Sequence, residues 1–209
     1  MYKCVWKRVF DFLLALVSMP FVCIITAVVA PLIWLEDRGP VFYNGERIGK
    51  NGRFFPMHKF RSMKVNAPDI RLPDGSTYNG EDDPRVTKIG KFLRETSLDE
   101  IPQMFNILKG DMSLIGPRPD PTDWIDKYPE EYRDFLEVRP GITGYSQAYF
   151  RNSDNPTEKM EHDVYYARNI SFGLDVKIFF KTIQTVFMRE NIYRKTDEVG
   201  IEQDQPVAR

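Results

Sequence analysis

The stretch FLLALVSMPFVCIITAVVAPLIWL, residues 12–35, contains 24 residues and no charged side chain. This length is sufficient to cross the hydrocarbon core of a bilayer. Pro20 lies near the middle and Pro31 near the end, and a proline inside a helix removes a backbone donor and bends the axis. The stretch therefore predicts a membrane helix that is kinked at Pro20.

Basic residues flank this apolar stretch on both sides, which places both flanks on the cytoplasmic side of a membrane. A re-entrant helix that bends at Pro20 and returns to the same face fits this pattern. A straight spanning helix remains an alternative, whereas a cleaved signal peptide is disfavoured because the stretch is long and no A-x-A-like site ends it. The flanking residues are Lys3, Lys7 and Arg8 before the stretch and Arg38, Arg47, Lys50 and Arg53 after it.

Composition excludes several classes of protein. The 209 residues include 29 Lys and Arg against 30 Asp and Glu, so nucleic acid is not an expected partner. The charge is uneven, because residues 1–64 hold 10 basic and 4 acidic side chains. Two cysteines and two histidines are too few for a disulfide framework or a Cys/His metal cluster.

The remaining sequence predicts an α+β fold with few short strands. Helical periodicity covers residues 86–95, 101–108 and 175–193, and the last of these either packs in the core or lies in a membrane interface. Turn residues mark 66–85 as a loop. We expect three parts, a membrane-inserted segment at 1–38, a cytosolic catalytic domain with interfacial helices at 39–193, and a disordered tail at 194–209.

The segment around Asp99 and Glu100 holds the densest set of reactive groups. The spacing Ser97-x-x-Glu100 is typical of a capping box, which is the structural interpretation. The functional interpretation places the Asp99 carboxylate beside helix amides that can hold phosphate oxygens, with Arg94 one turn away. The two interpretations are compatible.

Further basic residues lie next to prolines or directly after a predicted strand, where the backbone restricts their position. Lys59 and Arg61 follow a predicted strand and point to the same side, so they can share one anion. Arg118 stands between two prolines, and Arg139 precedes Pro140. A neighbouring proline reduces the freedom that an arginine loses on binding, which favours recognition of phosphate.

Six phrases in the same order resemble the bacterial sugar transferases, the monotopic phosphoglycosyl transferases, from about residue 5 to about residue 190. One departure is at the break of the membrane helix, where Met19-Pro20 replaces the usual Ser-Pro and Ser18 stands one place earlier. The phrases are KR-x-x-D at 7–11, GPVF at 39–42, KFRSM at 59–63, TSLDEIPQ at 96–103, KGDMSLIGPRP at 109–119 and RPGITG at 139–144.

The resemblance implies an enzyme of the bacterial inner membrane, monotopic and facing the cytoplasm. It would transfer a sugar 1-phosphate from a UDP-sugar to polyprenyl phosphate and release UMP. Asp99 would be the nucleophile and a ligand of Mg²⁺, and Glu100 would complete the dyad. The expected phosphate contacts are Lys59, Arg61, Arg94, Arg118 and Arg139.

Two other functions remain open at this point. A conventional glycosyltransferase would release UDP, and a membrane-anchored scaffold would have no activity. Membrane lipids are expected partners in every case. The sugar is not specified, and the residues that select it are expected in loops 66–85 and 120–138.

Overall fold

A computed structural model describes residues 1–72, 78–80, 82–150 and 155–188. The predicted tail at 194–209 lies outside these residues. A π-helical turn, Tyr2–Trp6, leads into the first helix. The helices are α1 Lys7–Asp37, α2 Lys88–Glu95, α3 Gln103–Lys109, α4 Tyr145–Tyr149, α5 Pro156–Arg168 and α6 Phe172–Met188. The strands are β1 Phe42–Ile48, β2 Phe54–Phe60, β3 Ser113–Ile115 and β4 Gly141–Thr143.

The strands form two small sheets, so the predicted mixture of helices and short strands is confirmed. β1 and β2 form an antiparallel hairpin, in which Arg47 pairs with Phe55 and Tyr43 pairs with Lys59. β3 and β4 pair in parallel and are joined by the segment 116–140. Both sheets are only two strands wide, and the helices supply most of the packing surface around them.

Helix α1 is continuous over 31 residues and contains both Pro20 and Pro31. The structure does not show the bend that the sequence predicts at Pro20. The Ser18 hydroxyl donates to the Ala15 carbonyl at 2.8 Å. The carbonyl that Pro20 deprives of a donor is that of Leu16, four residues earlier, so Ser18 does not replace the lost hydrogen bond.

Both ends of α1 bind the rest of the chain. Near its start, Asp11 accepts from the Ser113 hydroxyl at 2.7 Å and from the Leu114 amide at 3.2 Å. Near its end, the Glu36 carboxylate accepts from the backbone amides of Lys88 and Ile89, which begin α2. The helix is thus held along its length by one domain. Its buried residues Ala15, Val29 and Ile33 join core clusters with residues of β2, α2 and α3.

The opposite side of α1 is apolar and uncovered. Among the described residues, α1 with the turn before it is the one helix long and apolar enough to cross a membrane. Phe10 of α1 lies 6.0 Å from Phe172 of α6, ring centroid to ring centroid. Phe179 and Phe180 on α6 are also exposed, at 48% and 64%. The aromatic side of α6 therefore lies on the surface and not in the core.

The predicted helix positions are close to those observed, but the predicted capping box is wrong. Ser97 has a left-handed backbone with φ of 56° and its side chain caps nothing. A 3₁₀ turn, Leu98–Glu100, precedes α3. The Glu100 side chain turns away from the backbone toward two cations, and this ion pairing replaces the expected cap.

Candidate functional site

A cleft of about 530 Å³ lies between the β1–β2 hairpin, the 3₁₀ turn before α3, the segment 118–121, α5 and α6. Its lining contains more cations than carboxylates, and an anionic ligand would compensate the difference. The cations are Arg47, Lys59, Arg71, Arg94, Arg118 and Lys159, and the carboxylates are Asp99, Glu100 and Asp120.

The sequence around Asp99 explains how this carboxylate reaches the cleft. Leu98 and Ile101 pack against the cluster of Val29, Ile33, Phe60 and Leu93. Within a 3₁₀ turn, residues three apart lie on the same side. The two apolar residues therefore fix the turn against the core, and Asp99 and Glu100 between them face the cleft.

Glu100 binds two of the cations that line the cleft. Its Oε1 accepts a hydrogen bond from Lys59 Nζ at 2.8 Å and another from an Arg118 Nη at 2.8 Å. Burial acts to raise the pKa of Glu100, but the charges and hydrogen bonds of Arg118 and Lys59 hold it well below its ordinary value. Glu100 is therefore ionised throughout the physiological range, which suits positioning better than proton transfer.

Asp99 has the opposite environment. It is 8% exposed, and its carboxylate accepts no hydrogen bond from the part of the chain that the structure describes. Burial and the adjacent Glu100 charge raise the pKa of Asp99, although Lys59, Arg94 and Arg118 oppose the shift. Its lone pairs are available to attack an electrophile or to bind a cation.

Of the five predicted phosphate-binding residues, the structure brings three to Asp99. Lys59 and Arg118 meet at Glu100, and Arg94 lines the same cleft. Arg94 is oriented by the Ser62 hydroxyl, to which its Nε donates at 3.0 Å. All three residues can contact an anion in front of Asp99.

The other two predicted residues lie outside the cleft lining. Arg61 is buried and donates to Asp37 Oδ2 at 2.6 Å, as well as to the Pro40 and Met63 carbonyls. Arg61 therefore links the C-terminal end of α1 to the C-terminal end of β2. The prediction that Lys59 and Arg61 share an anion is wrong, because they bind different carboxylates.

Arg139 lies at the carboxyl end of α3. Its Nε donates to the Gly110 carbonyl at 2.8 Å, and Arg8 donates to the Leu108 carbonyl at 3.1 Å. The end of a helix carries unsatisfied carbonyls and a partial negative charge, which attract cations. The guanidinium of Arg139 thus stabilises this helix end, and the structure does not place it at the cleft.

Three cations of the cleft, Arg47, Arg71 and Lys159, were not among the phosphate-binding residues predicted from the sequence. Lys159 donates to Asp120 at 2.9 Å and to the buried Asp163 at 3.1 Å. The start of α5 does carry a signal, since Asn155 and Glu158 form a capping box with Pro156 at the first position. Arg47 was considered only as a charge flanking the apolar stretch.

Mg²⁺ fits the site through one protein carboxylate. No group of three or more His, Cys, Asp or Glu that could hold a metal occurs among the described residues. Glu100 and Asp120 are engaged by cations, whereas the Asp99 oxygens have no such partner. Mg²⁺ is commonly bound by one or two carboxylates together with substrate phosphates, and Asp99 meets that requirement.

A cleft with more cations than carboxylates suits an anionic ligand such as a phosphate, and the exposed apolar side of α1 suits contact with a membrane. The comparison with known families agrees. The family model described as bacterial sugar transferase matches residues 2–189, and the chain belongs to this family.

Relatives support the assignment. The chain is 42% identical over 186 residues to a UDP-N-acetylgalactosamine-undecaprenyl-phosphate N-acetylgalactosaminephosphotransferase of Aeromonas hydrophila, covering 86% of this chain and 43% of that protein. It is 36% identical over 201 residues to an undecaprenyl-phosphate galactose phosphotransferase of Salmonella typhimurium, covering 90% and 41%. The chain thus spans less than half of these two relatives. It covers 94% of the uncharacterized sugar transferase EpsL of Bacillus subtilis, at 38% identity.

Proposed function

We propose that this protein transfers a sugar 1-phosphate from a UDP-sugar to polyprenyl phosphate, releases UMP, and thereby begins the assembly of a glycoconjugate on a lipid carrier. The observation that carries the proposal is the environment of Asp99. A carboxylate that accepts no hydrogen bond from the described residues and is surrounded by cations is suited to attack phosphorus. Relatives named as undecaprenyl-phosphate sugar phosphotransferases support the same substrates.

The reaction has two displacements at the same phosphorus. In the first, an Asp99 oxygen bonds to the sugar-bearing phosphorus, the bond from that phosphorus to the bridging oxygen breaks, and UMP leaves with the electron pair. In the second, an oxygen of polyprenyl phosphate attacks the acyl phosphate and Asp99 is released. Each step transfers one phosphoryl group, so no oxidant or further reactant is needed.

The cations make this attack possible because both reactants are negative. Glu100 holds Lys59 and Arg118 on either side of one carboxylate oxygen, which fixes them before the substrate arrives. Bound Mg²⁺ would neutralise charge on the diphosphate. Arg94 adds a third cation from α2.

A covalent intermediate is testable directly. With donor and Mg²⁺ but no lipid acceptor, we expect one equivalent of UMP per enzyme in a burst, and a mass increase on Asp99 equal to a sugar phosphate. Rapid quenching and intact-mass spectrometry measure this adduct before the acyl phosphate hydrolyses. UMP that appears only when polyprenyl phosphate is present, with no added mass, would show direct transfer and would reassign Asp99 as a metal ligand.

The nucleotide product separates the alternative functions. A conventional glycosyltransferase releases UDP, and a scaffold releases neither nucleotide. Incubation with polyprenyl phosphate and a panel of UDP-sugars, followed by separation of UMP from UDP, distinguishes the three. The same panel identifies the sugar, for which the two named relatives differ.

We further propose that α1 enters the cytoplasmic leaflet of the inner membrane and returns to the same face, through a bend at Pro20 that forms in the bilayer and is not present in the structure. The supporting observation is that both ends of α1 bind one domain, through Asp11 at one end and Glu36 at the other. A straight span would place these ends on opposite faces of the membrane, and one set of contacts would be lost. Exposed aromatic residues on α6 supply a second surface for the interface.

Cysteine labelling from each side of the membrane tests this topology. After Cys23→Ser, we expect the native Cys4 and a cysteine introduced by Lys109→Cys to react with a membrane-impermeant maleimide in inverted vesicles and to be protected in spheroplasts. Both positions are exposed in the structure. Reaction of Cys4 in spheroplasts, with Lys109→Cys still protected, would establish a spanning helix instead.

A further inference from the structure

Arg47 differs from the other cations of the cleft in its neighbours. It is half-buried, and among the described residues its guanidinium donates one hydrogen bond, from a terminal nitrogen to the Glu46 carbonyl at 2.9 Å. Within the part of the chain that the structure describes, no carboxylate forms an ion pair with it. By contrast, Lys59 and Arg118 bind Glu100, and Lys159 binds Asp120 and Asp163.

The backbone fixes Arg47 at the cleft. In the β1–β2 register, Arg47 pairs with Phe55, on the hairpin face that also carries Met57 and Lys59. The end of β1 is joined to the segment after Arg118, since the Ile48 amide donates to the Asp120 carbonyl at 3.0 Å. Arg47 is therefore a rigidly placed lining residue, about 13 Å from Lys59 along the hairpin.

The electrostatic environment of Arg47 is unfavourable without a ligand. Burial, together with repulsion from Arg118 and Arg71, lowers the pKa of its guanidinium, while Tyr43 and Asp120 oppose the shift. An arginine remains charged at any physiological pH, so it cannot escape this cost by losing its proton. A buried charge of this kind is tolerated where a partner compensates it, and a phosphate that bridges Arg47 and Arg118 would do so.

We propose that Arg47 binds the phosphate of the donor nucleotide that is not transferred, the phosphate that leaves as part of UMP. This inference rests on the proposed function. The attacked phosphate would lie at Asp99, where Arg118 is held by Glu100, and Arg118 is near enough to Arg47 to repel it, so the next phosphate of a diphosphate would lie between these two arginines. The aromatic rings of Trp124 and Tyr78 also line the cleft and offer surfaces on which a base can stack.

Titration of UMP and of inorganic pyrophosphate, with Mg²⁺, into the protein in nanodiscs tests the proposal. We expect Arg47→Met to weaken both by about 10-fold to 100-fold, the effect of losing a charge-assisted hydrogen bond. Arg47→Lys should restore part of the loss. The matched control is Arg53→Met, because Arg53 is exposed at the other side of the same hairpin turn and does not line the cleft.

Further measurements separate binding from a structural role. Without ligand, Arg47→Met should melt at or above the temperature of the wild type, and its KM for polyprenyl phosphate should not change. The proposal is overturned if Arg47→Met binds pyrophosphate and UMP as tightly as the wild type, if only its KM for the acceptor increases, or if it melts at a lower temperature. It is also overturned if the wild type binds neither anion. If pyrophosphate binding depends on Arg47 but no UDP-sugar yields UMP, Arg47 is still part of a phosphate-binding site, and a UDP-sugar is not the donor.

Discussion

Asp99→Asn is expected to abolish turnover, with a loss on the order of 10⁴-fold or more, because an amide cannot form the acyl phosphate. The burst of UMP and the mass adduct should also disappear. The fold should be retained. Asparagine is nearly the same size, and the substitution removes a charge that burial disfavours. Single-turnover UMP release and thermal unfolding measure the two effects, with the exposed Asp134→Asn as the control.

The raised pKa of Asp99 fixes the direction of the pH effects. A carboxyl whose folded pKa is raised binds its proton more tightly in the folded state, so its contribution to stability falls as the pH rises through that pKa. At neutral pH, Asp99→Asn should therefore melt at or above the wild-type temperature. The rate of the first step should decrease on acidification at a higher pH than an ordinary aspartate would give. Lost activity accompanied by unfolding would contradict the assignment of Asp99 as nucleophile.

Glu100→Gln is expected to produce the largest loss of stability among the cleft variants. The amide leaves Lys59 and Arg118 without their shared counter-charge, and because the Arg118 side chain is 40% exposed, solvent screening reduces the cost of breaking this partly buried ion pair to about 2 kcal/mol. For a chain of this size the melting temperature should fall by about 4–8 °C. Activity should fall as well, because both cations lose their fixed positions. Glu137→Gln, at an exposed residue, is the control.

The pH dependence of this variant provides a second test. Because the pKa of Glu100 is lowered on folding, its contribution to stability is complete above its ordinary value of 4.5 and is lost as the pH falls further. The difference in melting temperature between wild type and Glu100→Gln should therefore be large at pH 7 and should shrink below about pH 4.5. A difference that is independent of pH would indicate lost packing instead of lost charge.

The residues around Asp99 could be predicted because they belong to short sequence motifs. Three of the five expected phosphate-binding cations line the cleft, and the three helices predicted after the apolar stretch lie near α2, α3 and α6, whereas α4 and α5 were not predicted. Arg61 and Arg139 were misplaced for a common reason. Arg61 is held by Asp37, and Arg139 by the carbonyl of Gly110, both far away in sequence. A short motif shows that the conformation of an arginine is restricted, but it does not show which distant group binds the side chain.

The same limit explains the error at Glu100 and the omission of Arg47. The spacing from Ser97 to Glu100 fits a capping box, and only the arrival of Lys59 and Arg118 from other elements makes the ion pairs more favourable. Arg47 has no distinctive neighbours in sequence. Its importance comes from the register of the hairpin and from the absence of a carboxylate partner among the described residues, which are properties of the folded chain.

The contacts that hold the first helix have a consequence for how the chain is made. The start of α1 is translated early, yet its partners come much later, since Arg8 binds Ile107, Asp11 binds Ser113, and Lys7 binds Asp175. Arg8 is thus synthesised 99 residues before its partner Ile107, and α1, which ends at Asp37, is complete before any of these three partners exists. On the proposed topology, the bilayer covers the apolar side of α1 during that time. On the proposed topology, insertion of α1 therefore precedes the completion of its contacts with the rest of the chain, which is reached only when α6 supplies Asp175.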